Sequence, residues 1–382
     1  MRELVGQVLD SGRISYGPMS KQFEKEFAKL HDCKYAILSN SGTSSLHVAL
    51  QAMKEIHLWD RGAQVIVPAT TFVATANIVR HCGLRPVFVD VDPVTYNIDC
   101  NLVADAVTED TVAIIPVHLF GQPADMTALR RTAPIGGKIK IIEDSCETMF
   151  VSHNGCKVGS MGDIGCFSTY VAHLIVTGVG GIATTNQPEY AAKMRSLVNH
   201  GLRIEYLNPD DNFSPQPMIG RRFIFDSVGH SYRITEMEAG IGIAQLEEYD
   251  WILRVRRRNA SHLTAGIEII NKTYNRQVLR TPTVMPENGH AWMMYPIVLV
   301  GADKTPLVSY LNDWGIETRD MLPILHQPIY DYLSPDDFPV SAEILKSGFY
   351  VGCHQDLEPS DIQYIVDRLH EWVNRMETGW YD

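Results

Sequence analysis

The chain has 382 residues, 45% of them hydrophobic and 20% charged, with a formal net charge of −12. That is enough chain for two packed domains, and the acidic balance opposes a nucleic-acid partner. No apolar run has the length of a membrane span, and MRELVGQVLDSGR at the start lacks the apolar stretch of a signal peptide, so no membrane is expected. The seven cysteines are scattered without a CxxC pair, which points to a reducing cytoplasm and to neither zinc nor an iron–sulfur cluster.

Seven short apolar runs alternate with helical patterns in the first two-thirds. They are Tyr35–Leu38, Gln64–Val67, Pro86–Val89, Val112–Val117, Ile139–Ile142, Cys166–Tyr170 and Gly181–Thr184. This rhythm predicts an α/β domain with a mainly parallel sheet, whose ligands lie beyond the carboxyl ends of the strands. The stretch Gly201–Gly229 reads as a long surface excursion. A long helix is expected from Thr235, as N-cap, to about Ile267. Then come a strand at Tyr295–Val300, a helix at Thr305–Trp314 and a closing amphipathic helix at Pro359–Met376. The reading gives a large domain over 1–250 and a small α+β domain over 251–382, with residues 1–20 packing on the small one.

Three turns after strands carry chemistry. In YAILSNSGTSSLHVAL, Ser41, Gly42 and Thr43 lie between a strand and a helix, where free N–H groups converge on one point. A phosphate fits there; a plain turn with a serine cap explains the same residues. In KIKIIEDSCE, Asp144 stands at a strand end, where a carboxylate can keep the ring nitrogen of pyridoxal phosphate protonated; an acidic N-cap is the simpler alternative. In VIVPATTFVATAN, Phe72 could stack on a cofactor ring or fill the core. In CFSTYVAHLIVTGVGG, His173 follows a strand. The GVGG string precedes a strand-like run rather than a helix, which argues against a dinucleotide fingerprint.

SNSGTSSLHVAL, PATTFVATAN, EDSCE, GCFSTY and YRITEMEAGIGIAQLE together resemble, in order, the DegT/StrS family of sugar aminotransferases and dehydratases. The resemblance runs from SGRISYGP to GFYVGCHQDL and implies a fold-type-I enzyme using pyridoxal or pyridoxamine phosphate. It implies that Ser41, Gly42, Thr43 and Ser168 hold the phosphate, with Ser231 reaching it across a homodimer interface. Phe72 stacks on the ring, Asp144 pairs with its nitrogen, and Glu147 stands where aminotransferases have glutamine. Aminotransferases of the family carry a Schiff-base lysine at position 173, and no lysine lies between Lys157 and Lys193 here. Histidine cannot form that linkage but can act as a base near neutral pH. A histidine at this site, with Gly220-Arg221-Arg222-Phe223 further on, resembles the sugar 3-dehydratase branch, typified by GDP-4-keto-6-deoxymannose 3-dehydratase. The implied reaction removes the C3 hydroxyl of a nucleotide-linked 4-keto-6-deoxyhexose on non-covalently held pyridoxamine phosphate, and an amine donor such as glutamate recharges the coenzyme. Arg221, Arg222, Phe223, Arg319 and His326 are the expected substrate contacts. The alternatives are a related pyridoxal phosphate reaction or a binding protein that has lost the lysine.

Overall fold

The computed structural model describes residues 1–215 and 223–379. All seven predicted runs join one sheet: β1 (Tyr35–Ser39), β2 (Gln64–Pro68), β3 (Arg85–Val89), β4 (Thr111–Ile114), β5 (Lys140–Asp144), β6 (Ile164–Ser168) and β7 (Gly181–Thr185). Their order is β1-β7-β6-β5-β4-β2-β3. Strands β2 to β6 pair in parallel; β7 runs antiparallel between β1 and β6. The central strands β2, β4, β5 and β6 are buried throughout, as a sheet covered on both faces requires. Pro116 cannot donate to the ladder, and β4 ends two residues before it.

A second, antiparallel sheet is ordered Leu279–Arg280, Tyr295–Leu299, Gly348–Val351, Thr318–Asp320. The helices Tyr249–Thr273 and Pro359–Thr378 pack together and bury Leu263, Ile267, Ile362, Leu369 and Val373 against it. The expected division at 250/251 falls within the first turn of Tyr249–Thr273, which gives Ile252 and Leu253 to the large core and Leu263 and Ile267 to the small one.

Two expectations are corrected. Residues 1–20 do not pack on the small domain. The helices Arg2–Ser11 and Pro18–Leu30 lie on the helix Glu236–Leu246, and the second also lies on β1. Buried Glu236 fixes them, accepting N–H bonds from Gly17, Met19 and Ser20, each at 2.8 Å. Nor is there one long helix from Thr235. Thr235 caps Glu236–Leu246 through a capping box with Glu238, and a turn at Glu247-Glu248 separates it from Tyr249–Thr273. Neither proline nor glycine marks the break; the turn lets Leu246, Ile252 and Leu253 all enter one core.

Candidate active site

The carboxyl edge of the main sheet collects the polar residues. After β1, Asn40 N–H donates to the Tyr232 carbonyl at 2.7 Å. Ser41 is extended and caps the helix Gly42–Ile56, its hydroxyl accepting from Ser44 N–H at 3.1 Å. The N–H groups of Gly42 and Thr43 have no carbonyl one turn earlier, so they are donors for an anion at the positive end of a 15-residue helix. A Cβ on Gly42 would lie 2.7 Å from both Cys146 Sγ and Ser168 Cβ, so only glycine allows this approach. Gly181 opens β7 against the same turn, where a Cβ would meet the Ser41 carbonyl at 2.1 Å. Gly180 and Gly181 of GVGG thus serve close packing at the start of a strand, whereas Gly178 has open space around it and a positive φ of 89°. Ser168 is buried at the end of β6. Ser231 is exposed, beside the Tyr232 that holds Asn40, and accepts from Arg233 at 2.9 Å. The serine-cap and phosphate-cradle readings are therefore both compatible with this turn.

No helix follows Asp144, so it is not an N-cap. Its buried carboxylate accepts from the Thr75 hydroxyl at 2.8 Å and from Cys146 N–H at 3.2 Å. Burial raises its pKa, against the lowering effect of these donors. It makes no ion pair among the described residues. A protonated ring nitrogen would supply the missing cation, which is the fit that pyridoxal phosphate requires. Glu143, on the opposite face of β5, accepts from His118 Nε2 at 2.9 Å and Gly159 N–H at 2.7 Å. His118 Nδ1 accepts from Ala124 N–H at 3.0 Å, which fixes the tautomer, and His118 N–H donates to the Asp144 carbonyl at 2.9 Å.

Phe72 is 57% exposed, so it is not a core residue. It starts the helix Val73–His81, and its loop is tied to the small domain by Thr71 N–H to Leu322 carbonyl at 2.9 Å. His173 is half-buried, two turns of loop beyond β6, with Nδ1 3.2 Å from the Ser168 carbonyl. That contact makes Nδ1 the donor and leaves the Nε2 lone pair free. Crowding by protein pushes the pKa of His173 down to about 4; the Ser168 contact opposes this and the Arg256 charge adds to it. The imidazole is therefore neutral at neutral pH. Glu147 is buried and accepts from Phe120 N–H at 2.8 Å. Burial raises its carboxyl to about 7, with Asp144 adding to the rise.

The expected substrate contacts are less gathered. Arg221 and Arg222 lie outside the described residues. Phe223 is exposed. Arg319 is exposed on an edge strand and ion-paired with Glu317. His326 is exposed in a turn joined to the Phe72 loop by Ile324 N–H to Ala69 carbonyl at 2.9 Å. Sequence reasoning missed Thr75, His118, Gly181 and Tyr350. Thr75 had a local signal, as the residue four after Thr71, and the two hydroxyls meet at 2.9 Å across the start of the helix Val73–His81.

Comparison with known proteins follows the same lines. A profile of the DegT/DnrJ/EryC1/StrS aminotransferase family matches residues 1–370. GDP-perosamine synthase of Caulobacter vibrioides is 34% identical over 375 residues, 97% of this chain and 94% of that protein. GDP-4-keto-6-deoxy-D-mannose 3-dehydratase of Escherichia coli is 31% identical over 387 residues, 96% of this chain and 95% of that protein. Among solved structures, the E. coli 3-dehydratase with bound hydrated pyridoxal phosphate superposes with a TM-score of 0.85 at 28% identity, covering 96% of each chain. The fold is that of the fold-type-I pyridoxal phosphate enzymes. The chain belongs to the DegT/DnrJ/EryC1/StrS aminotransferase family, whose members use pyridoxal phosphate.

Proposed function

We propose that this chain is a dehydratase that removes the C3 hydroxyl of a nucleotide-linked 4-keto-6-deoxyhexose, with His173 as base. The observation that carries the reading is the imidazole in the loop five residues beyond β6, with Nδ1 tied to the Ser168 carbonyl and Nε2 unoccupied by any described hydrogen-bond partner. The next lysine, Lys193, is held by Glu55 at 2.6 Å and cannot take its place. In this reading the N–H groups of Gly42 and Thr43, with the hydroxyls of Ser41 and Ser168, bind the coenzyme phosphate. Phe72 covers one face of the ring, and Asp144 holds the ring nitrogen protonated, kept in place by Thr75. When bound as the amine, the coenzyme supplies an electron sink and a nitrogen to attach the sugar's C4 ketone.

The protein residues do the rest. His173 Nε2 removes a proton beside that nitrogen; its neutral state at physiological pH makes it available for this at once. No covalent bond from protein to coenzyme forms. Glutamate is the amine donor, and a second copy of the chain brings its Ser231 to the cradle. Phe223, Arg319 and His326, with Arg221 and Arg222, are the side chains assigned to the sugar nucleotide.

The 34% identity to a GDP-perosamine synthase favours a second reading, amino transfer to the same class of ketone. The two differ in product. Purified protein is incubated with pyridoxamine phosphate, a GDP-linked 4-keto-6-deoxyhexose and glutamate. Dehydration gives ammonia and a 3,6-dideoxy-4-keto sugar. A 4-amino sugar with the C3 hydroxyl intact would replace this proposal with the second reading.

A further inference from the structure

We infer that the amino edge of the main sheet carries a second ligand site, built around Lys140 and Trp59, for a flat aromatic ring that bears an anionic group, as a nucleoside monophosphate does. The inference is independent of the dehydratase reading. Strand β5 begins at Lys140 and ends at Asp144, so the two residues stand at opposite edges of the sheet, about 13 Å apart at about 3.3 Å per strand step. A molecule held at Lys140 therefore lies outside the coenzyme cleft.

Lys140 is 9% exposed, an uncommon state for a lysine without an acidic partner. Its ammonium donates to the Gly137 carbonyl at 2.8 Å, and no carboxylate pairs with it among the described residues. An ammonium has three donors, so one described bond leaves it short of acceptors. Lys140 lines a cavity of about 470 Å³ together with His57, Trp59, Gly136, Gly137 and Lys138. No acidic residue lines this cavity; Asp60, Glu109 and Asp110 belong to an adjoining one of about 380 Å³. In a chain of net charge −12, a cavity with two lysines and no carboxylate is a local reversal of sign, and an anion is its complement.

His57 and Trp59 supply a flat wall. Their rings lie 5.8 Å apart and 23° from parallel. Leu58, between them, holds φ at +52° with its side chain 84% exposed. A left-handed leucine costs energy, and this strained turn brings the two rings onto one side. His57 Nε2 lies 2.7 Å from the Tyr190 hydroxyl, and Trp59 N–H donates to the Lys54 carbonyl at 3.0 Å, so both walls are anchored. The imidazole also senses the lysine: burial lowers the pKa of His57 and the Lys140 charge adds to the fall, against Glu189 and Asp163. Asp163 is itself engaged by Arg130 at 3.4 Å and by Ile141 N–H at 2.8 Å. Ring wall and ammonium thus share one cavity of the size that small molecules fill. A bound ring stacks on Trp59 while its anion meets Lys140, with exposed Lys138 at the rim.

Calorimetry of the full chain with adenosine monophosphate, ribose 5-phosphate and adenosine tests the site. Adenosine monophosphate should bind the parent with a Kd below about 1 mM. Ribose 5-phosphate, which lacks the ring, and adenosine, which lacks the anion, should each bind at least about tenfold more weakly. Lys140→Met should weaken adenosine monophosphate at least about tenfold, Trp59→Leu about fivefold and Lys138→Gln about threefold. Should Lys140→Met not fold, the other two variants, at less buried positions, decide the matter. No binding by the parent at about 1 mM overturns the inference. So does binding that pyridoxamine phosphate displaces and the three substitutions leave unchanged, because the nucleotide then sits in the coenzyme cleft. Ribose 5-phosphate or adenosine binding as tightly as adenosine monophosphate overturns it as well, since the site then does not read ring and anion together. None of these results bears on the dehydratase reading, which product analysis tests separately.

Discussion

Thr75→Val tests the environment of Asp144 with one atom. The substitution keeps the shape of the side chain and deletes the hydroxyl that donates to Asp144 Oδ2 at 2.8 Å. The carboxylate is buried, so no water replaces the lost donor without rearrangement. A hydrogen bond to a charged group contributes about 1.5–3 kcal/mol; one to a neutral carboxyl contributes about 1 kcal/mol. The hydroxyl favours the charged form, so its removal raises the pKa of Asp144 beyond the rise that burial causes. A folded-state pKa raised further above that of the unfolded chain removes stability as pH increases through the window between them. Destabilisation should therefore be larger at the higher of two pH values that bracket the titration, about 2–3 kcal/mol for the ionised carboxyl, than at the lower, about 1 kcal/mol for the protonated one. Urea unfolding of the coenzyme-free protein at both pH values measures it. Pyridoxamine phosphate affinity should fall about tenfold, equivalent to about 1.4 kcal/mol, because a more weakly ionised carboxyl pairs less well with a protonated ring nitrogen. Equal destabilisation at the two pH values, or unchanged affinity, would refute the assignment of Thr75 as the residue that keeps Asp144 charged.

Gly42→Ala puts a methyl 2.7 Å from Cys146 Sγ and Ser168 Cβ and should cost about 1–3 kcal/mol in thermal or urea unfolding, with weaker phosphate binding by calorimetry. Gly6→Ala, with open space around its Cβ in the helix Arg2–Ser11, should instead stabilise by about 0.5–1 kcal/mol in the same assay. His173→Lys should gain the visible absorbance of a coenzyme bonded to Nζ; His173→Asn should keep coenzyme affinity and lose turnover. The low pKa of His173, about 4, leaves Nε2 unprotonated well below the ordinary histidine range, so the acid limb of kcat/KM should lie below pH 6. The same shift removes stability as pH falls from about 6.5 toward 4, because the unfolded chain takes the proton first, and His173→Asn should flatten that stretch of the stability profile.

What was legible in the sequence was local. The central strands of the main sheet stand out as apolar runs ending in turns, because burial on both faces demands it. Thr235 marks a helix start, and in the structure its capping box with Glu238 closes within four residues. The tautomer of His173 is also a local fact, set by a carbonyl five residues earlier. What could not be read was supplied from far along the chain. Glu236 anchors a segment 219 residues away in sequence, and nothing in SYGPMS names its acceptor, so the packing of residues 1–20 on the large domain is not visible in the sequence. Thr75 reaches Asp144 across 69 residues, and Phe120 reaches Glu147 across 27.

This difference bears on the chemistry. A residue type states what a side chain can do: imidazole takes a proton, carboxyl gives one. Whether it does so at neutral pH depends on desolvation and on donors contributed by other strands. His173 and Glu147 show the two directions. Burial lowers one and raises the other, because each retains its neutral form when water is withdrawn. For the imidazole the neutral form is the base; for the carboxyl it is the acid. A single physical cause, burial at the carboxyl edge of the sheet, thus shifts in opposite directions two side chains in the loops after neighbouring strands.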